Sequence, residues 1–126
     1  MDRHAIDREL GDQLAAWGKV ATLETRGRRT GSPVSVTVGY VAEPDGSVLV
    51  AASSPDTNWA LNLVADPACV VTIGGRAMRA VAEPLERADH ARVIRELVLR
   101  YGTPAERMGA GPSFRLRPSS SEAGES

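Results

Sequence analysis

The sequence has few of the residues that most often carry catalytic or metal chemistry, with one cysteine and two histidines among its 126 residues. A single cysteine excludes an internal disulfide, and the apolar run ACVVTI around Cys69 is typical of a small buried hydrophobe. His4 and His90 form no pattern with an acid and a nucleophile that would suggest a hydrolytic triad. We therefore predict no metal site and expect any demanding chemistry to come from a bound cofactor.

Aromatic residues make up only 4% of the chain, and the formal net charge is -1. A nucleic-acid surface needs concentrated positive charge and often stacks rings on bases, so we predict no nucleic-acid partner. No apolar run approaches the ~20 residues that cross a bilayer. The N-terminus MDRHAIDREL also lacks the basic and apolar regions of a signal peptide. The predicted location is the cytoplasm, with no membrane span.

Three segments have the apolar spacing of amphipathic helices. The first covers residues 7–18, and the second covers 55–65 with Ser54 as its N-cap and Pro55 in its first turn. The third runs from 87 to 101 and ends before Gly-Thr-Pro. We expect these helices to flank a sheet.

Short runs rich in β-branched residues predict the strands of that sheet. They are VATLET, PVSVTVGYV, VLVAAS, ACVVTI, RAMRAVA and SFRLR. The second and third should form a hairpin around residues 43–46, and the fourth and fifth a hairpin around Gly74-Gly75. Mostly antiparallel strands interrupted by helices predict an α+β barrel. We expect one domain over residues 1–117 and a disordered polar tail over 118–126.

Two segments could bind an anion. The turn RGRRTG at residues 26–31 concentrates three guanidinium groups beside exposed backbone N–H groups, although a solvated basic loop has the same composition. The second segment is the predicted helix start at Ser53 and Ser54, where free N–H groups favour negative charge, although this segment alone favours Ser54 as a simple N-cap with Asp56 already interacting with the helix dipole. Trp59 and Asn62 lie three residues apart on that helix and could face a flat ligand or the core.

The order of two motifs carries a resemblance to a known family. T-R-G-R-R-T-G at 25–31 is followed by N-W-x-x-N-L-x-x-x-P at 58–67, then by a strand and a G-G-R hairpin. Over residues 19–101 the chain resembles the deazaflavin-dependent nitroreductases, split-barrel enzymes common in actinobacteria that use coenzyme F420. The resemblance implies an FMN-binding-like split β-barrel of six or seven mostly antiparallel strands.

The resemblance also implies a binding site for the coenzyme. The basic turn would contact its anionic tail, and two strand ends and the helix after them would border the ring. The implied cofactor-binding residues are Arg28, Arg29, Thr30, Gly31, Thr37, Val38, Ala52, Ser53, Ser54, Trp59 and Asn62. The chain departs from the family in having Val34 where many members have arginine, and it lacks a clear counterpart of the C-terminal tyrosines of nitro-reducing relatives. Nitroreduction itself is therefore not implied.

The implied function is hydride transfer from reduced F420 to a small organic acceptor such as a quinone or an activated alkene. No side chain is assigned as a catalytic acid or base. The alternatives are an FMN-dependent oxidoreductase, a non-catalytic protein that binds a lipid or haem, and a non-redox cyclase or isomerase. Because a small barrel often completes its pocket through a two-fold partner, a homodimer is possible.

Overall fold

The computed structural model describes residues 20–101 and 111–119 of the chain. This part contains seven strands: β1 Ala21–Arg26, β2 Pro33–Val38, β3 Val41–Ala42, β4 Val48–Ala51, β5 Ala68–Ile73, β6 Arg76–Pro84 and β7 Ser113–Pro118. It also contains two helices, α1 Asn58–Ala65 and α2 Arg87–Tyr101. The predicted helix over 7–18 lies outside the described residues. Neither described helix is long and apolar enough to span a membrane.

All seven strands pair antiparallel in one sheet of order β2-β1-β5-β6-β7-β4-β3. The two edge strands are consecutive in the chain, with only Gly39 and Tyr40 between them. A flat sheet of this width would hold them about 29 Å apart, whereas three residue steps span at most about 11 Å. The sheet must therefore curl until its edges meet, which gives the predicted α+β barrel.

The long strand predicted at PVSVTVGYV is divided in the structure. Its first part, β2, pairs with β1 along its whole length, and only β3 forms the predicted hairpin with β4. The division falls at Gly39, where the ring of Tyr101 packs so closely that a Cβ would lie 3.0 Å from it. The Tyr101 hydroxyl accepts a hydrogen bond from the N–H of Tyr40 at 3.1 Å. The chain stops pairing with β1 and starts pairing with β4 at this point, because the two edges of the sheet meet here.

Two apolar clusters hold the sheet and the helices together. The larger fills the barrel and includes Leu23, Trp59, Val71 and Phe114, all buried. The second lies between α2 and the outer face of β4 and includes Leu49. Both faces of β4 are thus covered, which explains why all four of its residues are buried.

Other predicted elements are confirmed, with two corrections. The bounds of α2 and the Gly74-Gly75 hairpin agree with the prediction, and both glycines have positive φ. Helix α1, however, begins at Asn58 with Thr57 as its N-cap, so Ser54 is not the cap. At the other end, Pro118 pairs with Ala80 in the sheet, and the folded domain passes the predicted boundary at residue 117. Residues 120–126 of the predicted tail lie outside the described part.

Candidate functional site

The basic turn between β1 and β2 is a compact loop that its own backbone holds closed. The Gly27 N–H donates to the Ser32 carbonyl and the Gly31 N–H donates to the Gly27 carbonyl, both at 2.8 Å. Gly31 has a φ of 76°, which favours glycine. Between these bonds, the exposed Arg28, Arg29 and Thr30 project from a fixed loop.

Arg28 reaches from this turn to the first turns of helix α1. Its Nη1 donates to the Asn62 Oδ1 at 2.8 Å, and its backbone N–H donates to the same oxygen at 3.2 Å. Longer contacts of 3.5 and 3.4 Å join the guanidinium to the carbonyl and the side-chain oxygen of Asn58. The basic turn and the start of α1 therefore form one surface.

Asn62 is buried beneath this surface, with 3% of its area exposed. Its Nδ2 donates to the Thr25 Oγ1 at 3.1 Å, and Thr25 is 2% exposed. A buried amide and a buried hydroxyl would each destabilise the fold if they lacked a hydrogen-bond partner, and here each is the partner of the other. This bond joins strand β1 to helix α1.

Arg28 and Arg29 differ from Arg26, the third arginine of the turn, and from Arg117 in their electrostatic pairing. Arg26 lies 3.4 Å from Asp66, and Arg117 lies 2.7 Å from Glu83. Within residues 20–101 and 111–119, Arg28 and Arg29 have no carboxylate partner. The turn thus keeps positive charge available for an anion.

The predicted segment at Ala52, Ser53 and Ser54 follows β4 and leads to α1. Ala52 is buried, and its N–H donates to the Pro112 carbonyl at 2.9 Å. Ser53 is exposed, whereas Ser54 forms reciprocal bonds with Thr57: its N–H donates to the Thr57 Oγ1, and its carbonyl accepts from the Thr57 hydroxyl. These local bonds compete with helix formation, which explains why α1 starts at Asn58.

Thr37 and Val38 lie at the far end of β2 from the basic turn. Thr37 is exposed, and Val38 packs on the core cluster that contains Ala52. Six residues of β2 separate the two ends by about 17 Å. The predicted coenzyme residues on β2 are therefore separated from the basic turn by the length of this strand.

Trp59 lies in the barrel core with 8% of its area exposed. Its ring centroid is 6.1 Å from that of Phe114, in a tilted arrangement. The structure therefore brings Arg28 and Asn62 into direct contact, places Val38 and Ala52 in one cluster, and gives Trp59 contacts with the core.

A cleft of about 590 Å³ lies across β1, β5 and β6. Its walls include Glu24, Val70 and Arg79. The structure describes every predicted coenzyme residue, and of these only Gly31 lines this cleft. Arg26 of the basic turn and Thr25, the partner of Asn62, also line this cleft, so the cleft adjoins the basic turn.

The sequence model of the F420H(2)-dependent quinone reductases matches residues 2–109, most of the chain. The chain belongs to this family. It is accordingly an oxidoreductase, and the predicted resemblance is confirmed. No relative was found among proteins with curated descriptions.

Solved structures confirm the split-barrel fold of this family member. An F420-H2 dependent reductase (FDR-A) is 23% identical with a TM-score of 0.67, over 79% of this chain and 94% of that one. HutZ, the haem storage protein of Vibrio cholerae, is 21% identical with a TM-score of 0.68, over 94% of this chain and 92% of that one. Rv2991, a conserved hypothetical protein of Mycobacterium tuberculosis, is 22% identical with a TM-score of 0.66, over 94% and 81%. At these identities the likeness concerns the fold.

Three residues that contact the predicted site residues were not among the sequence predictions. Thr25 and Asn58 bond to the residues that join the turn to α1. Gly111 packs directly against the backbone of Ala52 and Ser54. The N-W-x-x-N motif contains Asn58 and the T-R-G-R-R-T-G motif contains Thr25, so these motifs could have nominated both, but no local signal links Gly111 to its distant partners.

Proposed function

We propose that this family member binds F420 in a groove between β2 and the segment that leads from β4 to α1, and reduces a small organic acceptor such as a quinone or an activated alkene. The observation that carries the proposal is the basic turn, which Arg28 links to the start of α1 and in which Arg28 and Arg29 have no carboxylate partner within the described residues. F420 has an anionic tail, and planar guanidinium groups suit phosphate and carboxylate oxygens.

The residues of the groove fit the parts of such a coenzyme. Arg28 and Arg29 would bind the anionic part, and Thr30 and Gly31 would add hydroxyl and backbone donors. Thr37, Val38, Ala52, Ser53 and Ser54 would border the ring at the other end. Trp59 and Asn62, both buried, would support this surface from below.

When bound, the reduced deazaflavin supplies the hydride, so the protein needs no nucleophile of its own. The chain's residues would hold the coenzyme and the acceptor in register and exclude water from the reacting atoms. Among the described residues, no group of three or more histidine, cysteine or acidic side chains is placed to hold a metal.

Binding and turnover test the proposal together. Purified protein is titrated with F420, FMN and haem in parallel, and F420H2 oxidation is then followed with and without a soluble quinone. We expect saturable F420 binding and quinone-dependent oxidation. Retention of FMN or haem with no affinity for F420 would overturn the proposal in favour of another split-barrel function.

A homodimer remains part of the proposal. A domain-swapped dimer, 20% identical to this chain with a TM-score of 0.66, is among the solved structures with this fold. Light scattering at several protein concentrations measures the mass directly, and a monomer throughout would remove the dimer from the account.

A further inference from the structure

We infer that Asn62 is a positioning residue, which acts on the coenzyme by holding Arg28 and makes no contact with it. The inference rests on the proposed function, because it concerns the same anion site. It begins from the two bonds that Arg28 donates to the single Asn62 Oδ1 atom, from the backbone N–H at 3.2 Å and from Nη1 at 2.8 Å.

The orientation of the Asn62 amide follows from its neighbours. Arg28 offers only N–H donors on this side, so the atom that faces it must be the amide oxygen. The Nδ2 group then points to the Thr25 Oγ1, which can accept. The oxygen has both lone pairs engaged, and although Nδ2 has a second N–H, the whole residue is only 3% exposed, so burial keeps the amide from a ligand on this surface.

Arg28, in contrast, keeps hydrogen-bonding capacity for an anion. A guanidinium has five N–H groups. Two Nη1 contacts and one Nη2 contact go to Asn58 and Asn62. Nε–H and one Nη2–H have no acceptor within the part of the chain that the structure describes, and they are suited to two oxygens of one anion. The geometry thus separates two roles: Asn62 fixes the position of the guanidinium, and the guanidinium of Arg28 binds the anion.

Thr25 is the anchor of this arrangement. Its buried hydroxyl in β1 accepts a hydrogen bond from the Asn62 amide nitrogen. The oxygen of the same amide accepts the two bonds from Arg28 in the turn. The turn itself keeps its shape through the bonds among Gly27, Gly31 and Ser32, which do not involve Asn62. Loss of the Asn62 amide should therefore release mainly Arg28.

A double-mutant cycle tests the inference, with F420 as the ligand. We expect Asn62→Leu to weaken F420 binding about 3- to 10-fold, because Arg28 must then be ordered on binding. In an Arg28→Ala background the same substitution should change the affinity less than about 2-fold. Equal weakening in both backgrounds would show a direct contact and overturn the inference.

Two further measurements keep the test decisive. Thr25→Val keeps the shape of the side chain but removes the acceptor for the amide, and its effect should likewise vanish in the Arg28→Ala background. Amide hydrogen exchange at Arg28, measured without F420, should be slow in the parent protein and faster in both the Asn62 and Thr25 variants. Unchanged exchange in both variants would overturn the inference even if Asn62→Leu folds poorly.

The exchange measurement also separates this inference from the proposed function. If the parent protein does not bind F420, the proposed function fails, and the exchange rates still decide whether Asn62 holds Arg28. If F420 binds but the cycle is additive, the proposed function stands and the positioning role fails.

Discussion

Gly111 supports the segment that leads from β4 to α1, and replacing it tests how tightly that segment is held. A Cβ at this position would collide with the Ala52 carbonyl oxygen and lie 2.7 Å from the Ser54 amide nitrogen. Both atoms belong to the backbone, so no side chain can turn away to make room. At Gly39, by contrast, the nearest atoms belong to the ring of Tyr101, which has more freedom to move.

The cost of Gly111→Ala can be estimated from these contacts. Overpacking of a well-packed site costs about 1–3 kcal/mol. The bond from the Ala52 N–H to the Pro112 carbonyl at 2.9 Å would also be disturbed, which adds about 0.5–1.5 kcal/mol. We expect the free energy of unfolding to fall by about 2–4 kcal/mol and the melting temperature to fall by about 10 °C.

Denaturant unfolding and F420 titration of the same variant measure the two consequences. Because Ser53 and Ser54 must shift, we expect weaker F420 binding at temperatures where the variant is fully folded. Gly75→Ala is the matched control, since its φ is 81° but no atom lies within 4 Å of its Cβ. It should lose about 1–2 kcal/mol of stability through its backbone conformation and keep its F420 affinity. A Gly111→Ala protein that melts within a degree or two of the parent would refute the packing argument.

Three further predictions concern the described core and sheet. Burial raises the pKa of the Cys69 thiol to about 11, above its unfolded value. The contribution of this thiol to the free energy of unfolding is therefore fully present below about pH 8.5 and declines as pH rises towards the folded pKa. Cys69→Ala should remove this part of the loss of stability at alkaline pH. Tyr101→Phe removes the hydroxyl that bonds to both backbone groups of Tyr40, and should lower stability by about 1–3 kcal/mol in denaturant. A chain ending at Arg117 loses the bond from the Ser119 N–H to the sheet, about 0.5–1.5 kcal/mol, whereas a chain ending at Ser119 should melt as the full chain does.

Local patterns predict the elements that local forces determine. Helix α2 was predicted to the residue because its apolar period is unbroken and Gly-Thr-Pro ends it. The Gly74-Gly75 hairpin was predicted because only a residue tolerant of positive φ makes such a turn easily. In both cases the deciding contacts lie within a few residues along the chain.

The missed features depend on contacts between distant residues. The alternation of PVSVTVGYV continues through Gly39, and only barrel closure requires the chain to change partner strands there. A glycine inside a predicted strand was the one available signal of a bend. The predicted helix start at Ser54 was wrong because the reciprocal bonds of Ser54 with Thr57 stabilise a turn instead.

The family motifs predicted which residues belong to the candidate site, but they did not predict how those residues contact one another. The motifs nominated Arg28 and Asn62 separately, 34 residues apart in sequence. That the two share a hydrogen bond, with Thr25 behind them, depends on how α1 packs against β1. No spacing rule contains that information.

The most direct test of the account is the affinity for F420 of the parent protein and of the double variant Arg28→Ala/Arg29→Ala, at low salt. Charge-assisted bonds of about 1.5–3 kcal/mol each predict a loss of about 3–6 kcal/mol, more than about 100-fold. Arg95→Ala is the control, because Arg95 is exposed on α2 and has no ion pair among the described residues; its affinity should equal that of the parent. An unchanged dissociation constant in the double variant would contradict the placement of the coenzyme's anionic part at the basic turn.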